Sequence, residues 1–372
     1  MGAAQAARRP GVPLIRPALG HAEARALSEA VASGWLGTGV FTRLFEARFS
    51  AFAGGGDCVA LSSGTAALQL ALEAAGARGG AVITTPLTDV ATAHAILQAG
   101  AEPVFCDVDP ERGLLDPAAV AAARTARTRA VVAVHLGGHP CDMDALRKAA
   151  GRRAALIEDC CVAVGARYKG RPVGTLGDAG AFSFSRQKAP TALDGGALLV
   201  RRPAWRRRVA LLSRMGIAGR DAEPRAGDVR VLGWRSRMSD LSAVVGIAQL
   251  ARWKDLRRSL ARQERAYRQA LDGHPHLRAA VDAPWATRGL SQFTVRAPGG
   301  GGAALTRHLR ARGVEAALRT FPCHLYDLYR PWRRRLPNAE RLWKELVSLP
   351  FSPALTPEET ARTAQALREF GG

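Results

Sequence analysis

Lysine is scarce in this chain. Of its 53 basic residues only five are lysines (Lys148, Lys169, Lys188, Lys254 and Lys344), and the rest are arginines. Aromatic residues make up only 6%. There are six cysteines (Cys58, Cys106, Cys141, Cys160, Cys161 and Cys323), and no two stand as C-x-x-C. That spacing excludes a zinc ribbon and a redox dithiol, and burial as small hydrophobes is the expected use. No metal site is expected. No apolar run approaches the ~18 residues of a membrane span. No long apolar stretch follows Arg8 and Arg9, so no secretory signal is visible and the expected location is the cytoplasm. Acidic residues number 32, which leaves a net charge of +21.

What is present is a large apolar fraction. At 47% hydrophobic over 372 residues, the chain can bury a real core and is not disordered. The length suits one large domain and a smaller one, at ~150 residues per unit. The positive field would suit nucleic acid, phosphate-bearing small molecules or a membrane surface. GC-rich coding favours arginine and alanine and gives the same excess. No helix-turn-helix or other reader motif accompanies the charge, so nucleic acid is not an expected partner.

Between about residue 57 and residue 200 short β-branched runs alternate with helical stretches. The pattern predicts strands at 81–85, 103–108, 129–136, 155–159, 181–185 and 196–200. Helices are expected from Ser63 or Thr65 to about Gly76, over 88–100, after Asp116 and over 142–150. Such alternation argues for a parallel α/β sheet. Functional groups in such sheets gather at the carboxyl ends of strands, here 85–87, 159–161 and 185–188. Beyond Asp240 the pattern turns helical. A long amphipathic helix with arginines on one face is expected over 241–270. A boundary near residue 250 would divide a large domain, 1–250, from a small α+β domain, 251–372.

Three segments carry chemistry. The first runs Phe182-Ser183-Phe184-Ser185-Arg186-Gln187-Lys188 and continues to Leu193-Asp194-Gly195-Gly196. It sets one of the scarce lysines just past a buried strand. A lysine of lowered pKa is a nucleophile that a carbonyl cofactor traps as a Schiff base. A solvated loop lysine is the plain alternative. The second is Leu156-Ile157-Glu158-Asp159-Cys160-Cys161. A buried Asp159 needs a cation, and a pyridinium nitrogen would be one; an ordinary strand-end Asp is the alternative. In the third, Ser62-Ser63-Gly64-Thr65-Ala66, small residues open a helix whose free N–H groups can hold a phosphate, although Ser-Gly-Thr is also a common N-cap.

In this order and spacing the segments resemble the DegT/DnrJ/StrS family of pyridoxal-phosphate-dependent sugar aminotransferases. The resemblance spans nearly the whole length. It takes in Ser33-Gly34-Trp35-Leu36, Ala91-Thr92, Gly100 to Phe105, Val134-His135-Leu136, Gly174 to Ala179, Arg237-Met238-Ser239-Asp240, Gln249-Leu250 and Ser348-Leu349-Pro350. It implies a pyridoxal-phosphate transferase of fold type I, with a mostly parallel seven-stranded sheet in the large domain and a smaller α+β C-terminal domain. It also implies a homodimer with shared active sites. By resemblance, Lys188 is the covalent anchor and proton carrier, and Asp159 pairs with the pyridine nitrogen. Gly64, Thr65 and Ser183 hold the phosphate. His324 lies near the substrate, and Arg237 lies in the segment that reaches the neighbouring subunit.

Three cofactor-facing positions depart from the family pattern. Asp89 stands where an aromatic ring usually stacks on the cofactor. Val162 replaces a Gln beside its phenolic oxygen. Arg235 replaces an interface Asn, and Arg is itself a good phosphate ligand.

The activity implied is transfer of an amino group from glutamate or glutamine to a keto sugar, nucleotide-linked, or to a cyclitol ketone. The setting implied is natural-product or glycan biosynthesis. The departures leave room for another pyridoxal-phosphate reaction (elimination, substitution or epimerisation) or for a degenerate accessory protein.

Overall fold

The computed structural model describes residues 11–34, 36–218 and 228–372. Trp35 of the Ser-Gly-Trp-Leu match lies outside them.

The large sheet has seven strands: β1 (Asp57–Leu61), β2 (Ala81–Thr84), β3 (Glu102–Phe105), β4 (Thr128–Val134), β5 (Ala155–Asp159), β6 (Ala179–Ser183) and β7 (Gly196–Val200). Their spatial order is β1-β7-β6-β5-β4-β2-β3. Neighbours from β6 to β3 run parallel, while β7 is antiparallel to both β1 and β6. The expected α/β class with a mostly parallel sheet is therefore what the chain forms. Buried on both faces, strands such as β4 (Thr-Arg-Ala-Val-Val-Ala-Val) read as near-continuous apolar runs.

The helices in chain order are α1 (His21–Ala32), α2 (Val40–Phe52), α3 (Gly64–Ala74), α4 (Val90–Gln98), α5 (Pro117–Ala123), α6 (Met143–Ala150), α7 (Pro203–Leu212), α8 (Asp240–Ala251), α9 (Trp253–Leu271), α10 (Gly302–Ala311), α11 (Pro337–Glu345) and α12 (Pro357–Arg368). On one face of the sheet, Leu68, Leu72, Val209 and Leu212 of α3 and α7 pack on Val132, Ile157 and Leu198. On the other face, Phe45 and Phe49 of α2 meet Phe182 and Phe184 edge to face, with centroids 4.9–5.2 Å apart. Such pairs add to the stability from their buried area.

The expected helix over 241–270 is two helices that part at Arg252. Arg252 leaves helical geometry (φ −104°, ψ 18°). Its guanidinium reaches back to Glu23 at 2.8 Å and to the Ala18 carbonyl. A tertiary tether thus ends a pattern that periodicity alone would continue.

A second core gathers Leu260, Tyr267, Phe293, Val295, Leu305, Val347 and Leu367. Over it lies a four-stranded antiparallel sheet of β8 (Arg278–Ala279), β9 (Thr294–Arg296), β10 (Ala317–Leu318) and β11 (Leu346–Ser348), in the order β8-β9-β11-β10. The N-terminal segment belongs to this core. Val12 N donates to the Gly313 carbonyl at 2.8 Å and Glu315 N donates to the Val12 carbonyl at 2.9 Å. Arg16 forms a two-pronged pair with Glu359 at 2.6 and 2.8 Å, and its carbonyl accepts from Ser352 Oγ at 2.7 Å. No helix among the described residues is long and apolar enough to cross a membrane.

Candidate active site

The carboxyl ends of β5 and β6 and the N-terminus of α3 converge, as the strand-end rule requires. Ser63 caps α3, its side chain accepting from Ala66 N at 3.1 Å. That leaves the Gly64 and Thr65 N–H groups at the open end of the helix, without a partner among the described residues. The close fit needs glycine at two places. A Cβ on Gly64 would stand 2.7 Å from Cys161 Sγ and 2.9 Å from Ser183 Cβ. A Cβ on Gly196, at the start of β7, would stand 2.2 Å from the Ser63 carbonyl oxygen.

Asp159 ends β5 with 5% exposure. Its Oδ2 accepts from Thr92 Oγ1 at 2.7 Å and its Oδ1 from Cys161 N at 3.1 Å. Thr92 in turn shares a 2.7 Å hydrogen bond with Thr88. The pleat sends the preceding residue to the opposite face. There Glu158 accepts from the N–H groups of Gly174, Leu176 and Gly177 at 2.7–2.8 Å, and it lies 3.1 Å from His135 Nε2. His135 Nδ1 accepts from Cys141 N, so Nε2 carries the proton towards Glu158. His135, Glu158 and Cys160 bring their ligand atoms within 4.8 Å of one another. With the carboxylate already taking four donors, that cluster ties β4 and β5 to the turn before β6.

Lys188 follows β6 in a turn closed by its own N–H to the Ser185 carbonyl at 2.8 Å. The charges of Lys188 and Asp159 both act on the Cys161 thiol, whose pKa burial pushes up. Gly64, Ser183, Cys161 and Asp159 therefore meet where β5, β6 and α3 converge, and Lys188 follows in the turn after β6. Lys188 also lines a small hollow of about 30 Å³, together with Leu14, Ile15, Arg319 and Phe351.

The remaining predicted residues are placed differently. Asp89 is exposed and caps α4, its Oδ1 accepting from Ala91 N at 3.0 Å. Val162 sits half-buried in the turn after β5 and offers no polar side-chain atom. Arg235 is exposed and bridges the backbone of Arg214, while Arg237 bridges Leu61 at the end of β1. Neither arginine lines the Lys188 hollow.

His324 is fully buried, its Nε2 is 3.2 Å from Glu340 Oε1, and its ring lies 6.2 Å from that of Phe105. Burial pushes its pKa down, against the pull of Glu340. It too stands outside the lining of that hollow. Thr92 and Arg319 are the residues that sequence reading gave no role. Thr88 precedes the α4 cap while Thr92 lies in the first turn of the helix, so no helix-face spacing signalled the pair.

The donor set suits pyridoxal phosphate. A buried carboxylate with fixed hydrogen bonds closes one strand, and a lysine follows the end of the neighbouring strand. A capped helix end with two open N–H groups, the Thr65 and Ser183 hydroxyls and a glycine-lined approach suits a phosphate.

Comparison with known proteins points the same way. The model of the DegT/DnrJ/EryC1/StrS aminotransferase family matches residues 17–368. The chain is similar to the aminotransferase TlmJ from Streptoalloteichus hindustanus, at 35% identity and a TM-score of 0.90, over 96% of this chain and 98% of that one. It is similar to DesI, solved in the presence of its TDP-sugar product, at 34% identity and a TM-score of 0.88, over 97% and 93%. A sugar aminotransferase of Streptococcus pneumoniae in its PLP-form shares the fold at 24% identity and a TM-score of 0.90, over 96% and 98%.

Proposed function

The chain belongs to the DegT/DnrJ/EryC1/StrS aminotransferase family, and on that premise we propose that it transfers an amino group from glutamate or glutamine to a nucleotide-linked keto sugar or a cyclitol ketone. The observation that carries this reading is the convergence of Asp159, Ser183 and the open α3 N-terminus, with Lys188 in the turn that follows β6. That DesI was solved with a TDP-sugar product supports the nucleotide-linked acceptor.

Bound pyridoxal phosphate supplies an electron sink that lets a proton leave the carbon bearing nitrogen. The chain's own residues do the rest. Lys188 Nζ would hold the cofactor and would move the proton as general base and acid. Asp159, held in place by donation from Thr92 Oγ1 and Cys161 N, would pair with the ring nitrogen. The Gly64 and Thr65 amides, with the Thr65 and Ser183 hydroxyls, bind the phosphate. Leu14, Ile15 and Phe351 exclude water from the side of Lys188.

A homodimer, with Arg235 and Arg237 offered to the neighbouring site, is part of the same proposal. The exposed Met215, Val229 and Leu232 beside Arg235 support it, since large apolar side chains clustered at a surface mark contacts. A cytoplasmic, biosynthetic setting accompanies it.

The test is optical. Purified protein loaded with pyridoxal phosphate should show a visible absorbance band that bleaches on adding glutamate or glutamine and returns on adding a keto sugar. Lys188→Ala should lack both responses. Bleaching without amine gain in the product would favour elimination or epimerisation instead.

A further inference from the structure

Two hydroxyls stand in line behind Asp159. Thr92 Oγ1 donates to Asp159 Oδ2 at 2.7 Å, and Thr88 Oγ1 lies 2.7 Å from Thr92 Oγ1. All three side chains are buried. Proton counting sets the direction of the line. A hydroxyl carries one proton, and a carboxylate only accepts. Thr92 gives its proton to Asp159, so the proton between the two hydroxyls belongs to Thr88.

The opposite direction is blocked at its far end. A proton on Oδ2 would be donated to Thr92, Thr92 would donate to Thr88, and Thr88 would need an acceptor of its own. Among the described residues Thr88 Oγ1 has no partner other than Thr92. At 3% exposure Thr88 has little access to water either. A buried donor left unmet is costly. The line therefore runs one way, towards the carboxylate, and each bond in it polarises the next.

The entry of α4 fixes this arrangement. Thr88 precedes the cap residue Asp89, and Thr92 lies in the first turn. Between them Asp89 Oδ1 accepts from Ala91 N at 3.0 Å, and the Asp89 carbonyl accepts from Thr92 N at 3.1 Å. The cap thus folds the backbone so that both hydroxyls reach the end of β5.

We infer that Thr92, backed by Thr88, is a positioning residue: the one-way hydroxyl line fixes the Asp159 carboxylate for a cationic ring nitrogen, and so makes the site select a cofactor ring with nitrogen at that place. The inference rests on the proposed pairing of Asp159 with pyridoxal phosphate, and the experiment separates it from the transamination reading.

The experiment titrates the full chain with pyridoxal phosphate and with 1-deazapyridoxal phosphate. The two share the aldehyde and the phosphate, but the second has C–H where the first has the ring nitrogen. Absorbance gives the two dissociation constants without any turnover, and their ratio is the readout. Wild-type protein should prefer pyridoxal phosphate. Thr92→Val should narrow that preference by on the order of tenfold, and Thr92→Ser, which returns a hydroxyl, should restore it. Thr88→Val should narrow it less, because the Thr92 bond remains. Should Thr92→Val fail to fold, Thr88→Val decides by the same ratio.

A purely structural role would weaken both cofactors equally, and an unchanged ratio would overturn the assignment. So would a Thr92→Ser variant as indifferent as Thr92→Val. A wild type without any preference would refute the pairing of Asp159 with the ring nitrogen, and the role of Thr92 with it. A wild type that shows the preference but aminates no ketone would sink the transamination reading and leave the role of Thr92 standing.

Discussion

Asp89 looks misplaced for a cofactor site, yet it has a clear backbone role. Its carboxylate satisfies the Ala91 N–H at the start of α4, and its charge acts on Arg319. Asp89→Ala should lower the stability by about 1 kcal/mol, the usual cost of losing a cap, while Asp89→Asn should stay within a few tenths. Thermal melting of the two variants checks this. Equal losses would mean that the charge matters and the cap does not. Asp89→Phe gives up the cap but offers a stacking ring, so cofactor affinity and melting temperature should move in opposite directions. Lys188 was legible as a rare lysine beyond a buried strand, and Asp159 as an acid ending an apolar one. Thr92 was not legible as a partner. Its link to Asp159 spans 67 residues of chain, and only the packing of α4 against the end of β5 creates it.

The strands were legible to within a few residues because parallel strands buried on both faces are apolar throughout. β5 and β7 fall where expected, and β2, β3, β4 and β6 are shifted or trimmed at their ends. The division of the long helix at Arg252 was not legible, because its cause is a side chain reaching α1. Asp178 shows how such tertiary ties stabilise an element. It accepts from Leu156 N at 2.8 Å, Arg147 Nη2 at 2.8 Å and Arg202 Nη2 at 2.7 Å, joining β5, α6 and the start of α7. Burial alone would raise its pKa, but the Leu156 N–H and the two guanidiniums outweigh burial and hold it below the usual carboxylate value. A depressed folded pKa stabilises at pH values above the unfolded pKa, ~3.9, and that contribution fades as pH falls through the folded value. Asp178→Asn should therefore cost about 2 kcal/mol at pH 7, and the gap from wild type should narrow below pH 4. Denaturant unfolding at pH 7 and pH 3 measures the gap, and a constant difference would refute the charge-based account.

Across the whole molecule the net charge is +21, and of its cations Lys188 and Arg319 are half-buried while Arg235 is exposed. A proposed homodimer should give a scattering mass of twice 39.4 kDa. Leu232→Asp, placed in the exposed apolar group beside Arg235, should shift that mass towards one chain while sparing the fold's circular dichroism. A single-chain mass for the wild type would refute shared sites. The N-terminal segment carries a consequence of another kind. Leu14 and Ile15 wall the Lys188 hollow, and they are held there by contacts such as Arg16 to Glu359, 343 positions away. During synthesis the large sheet can assemble while the chain is still growing. The wall cannot, because its anchor is synthesised 343 residues after Arg16. The site is thus open on that side until the chain has grown past Glu359.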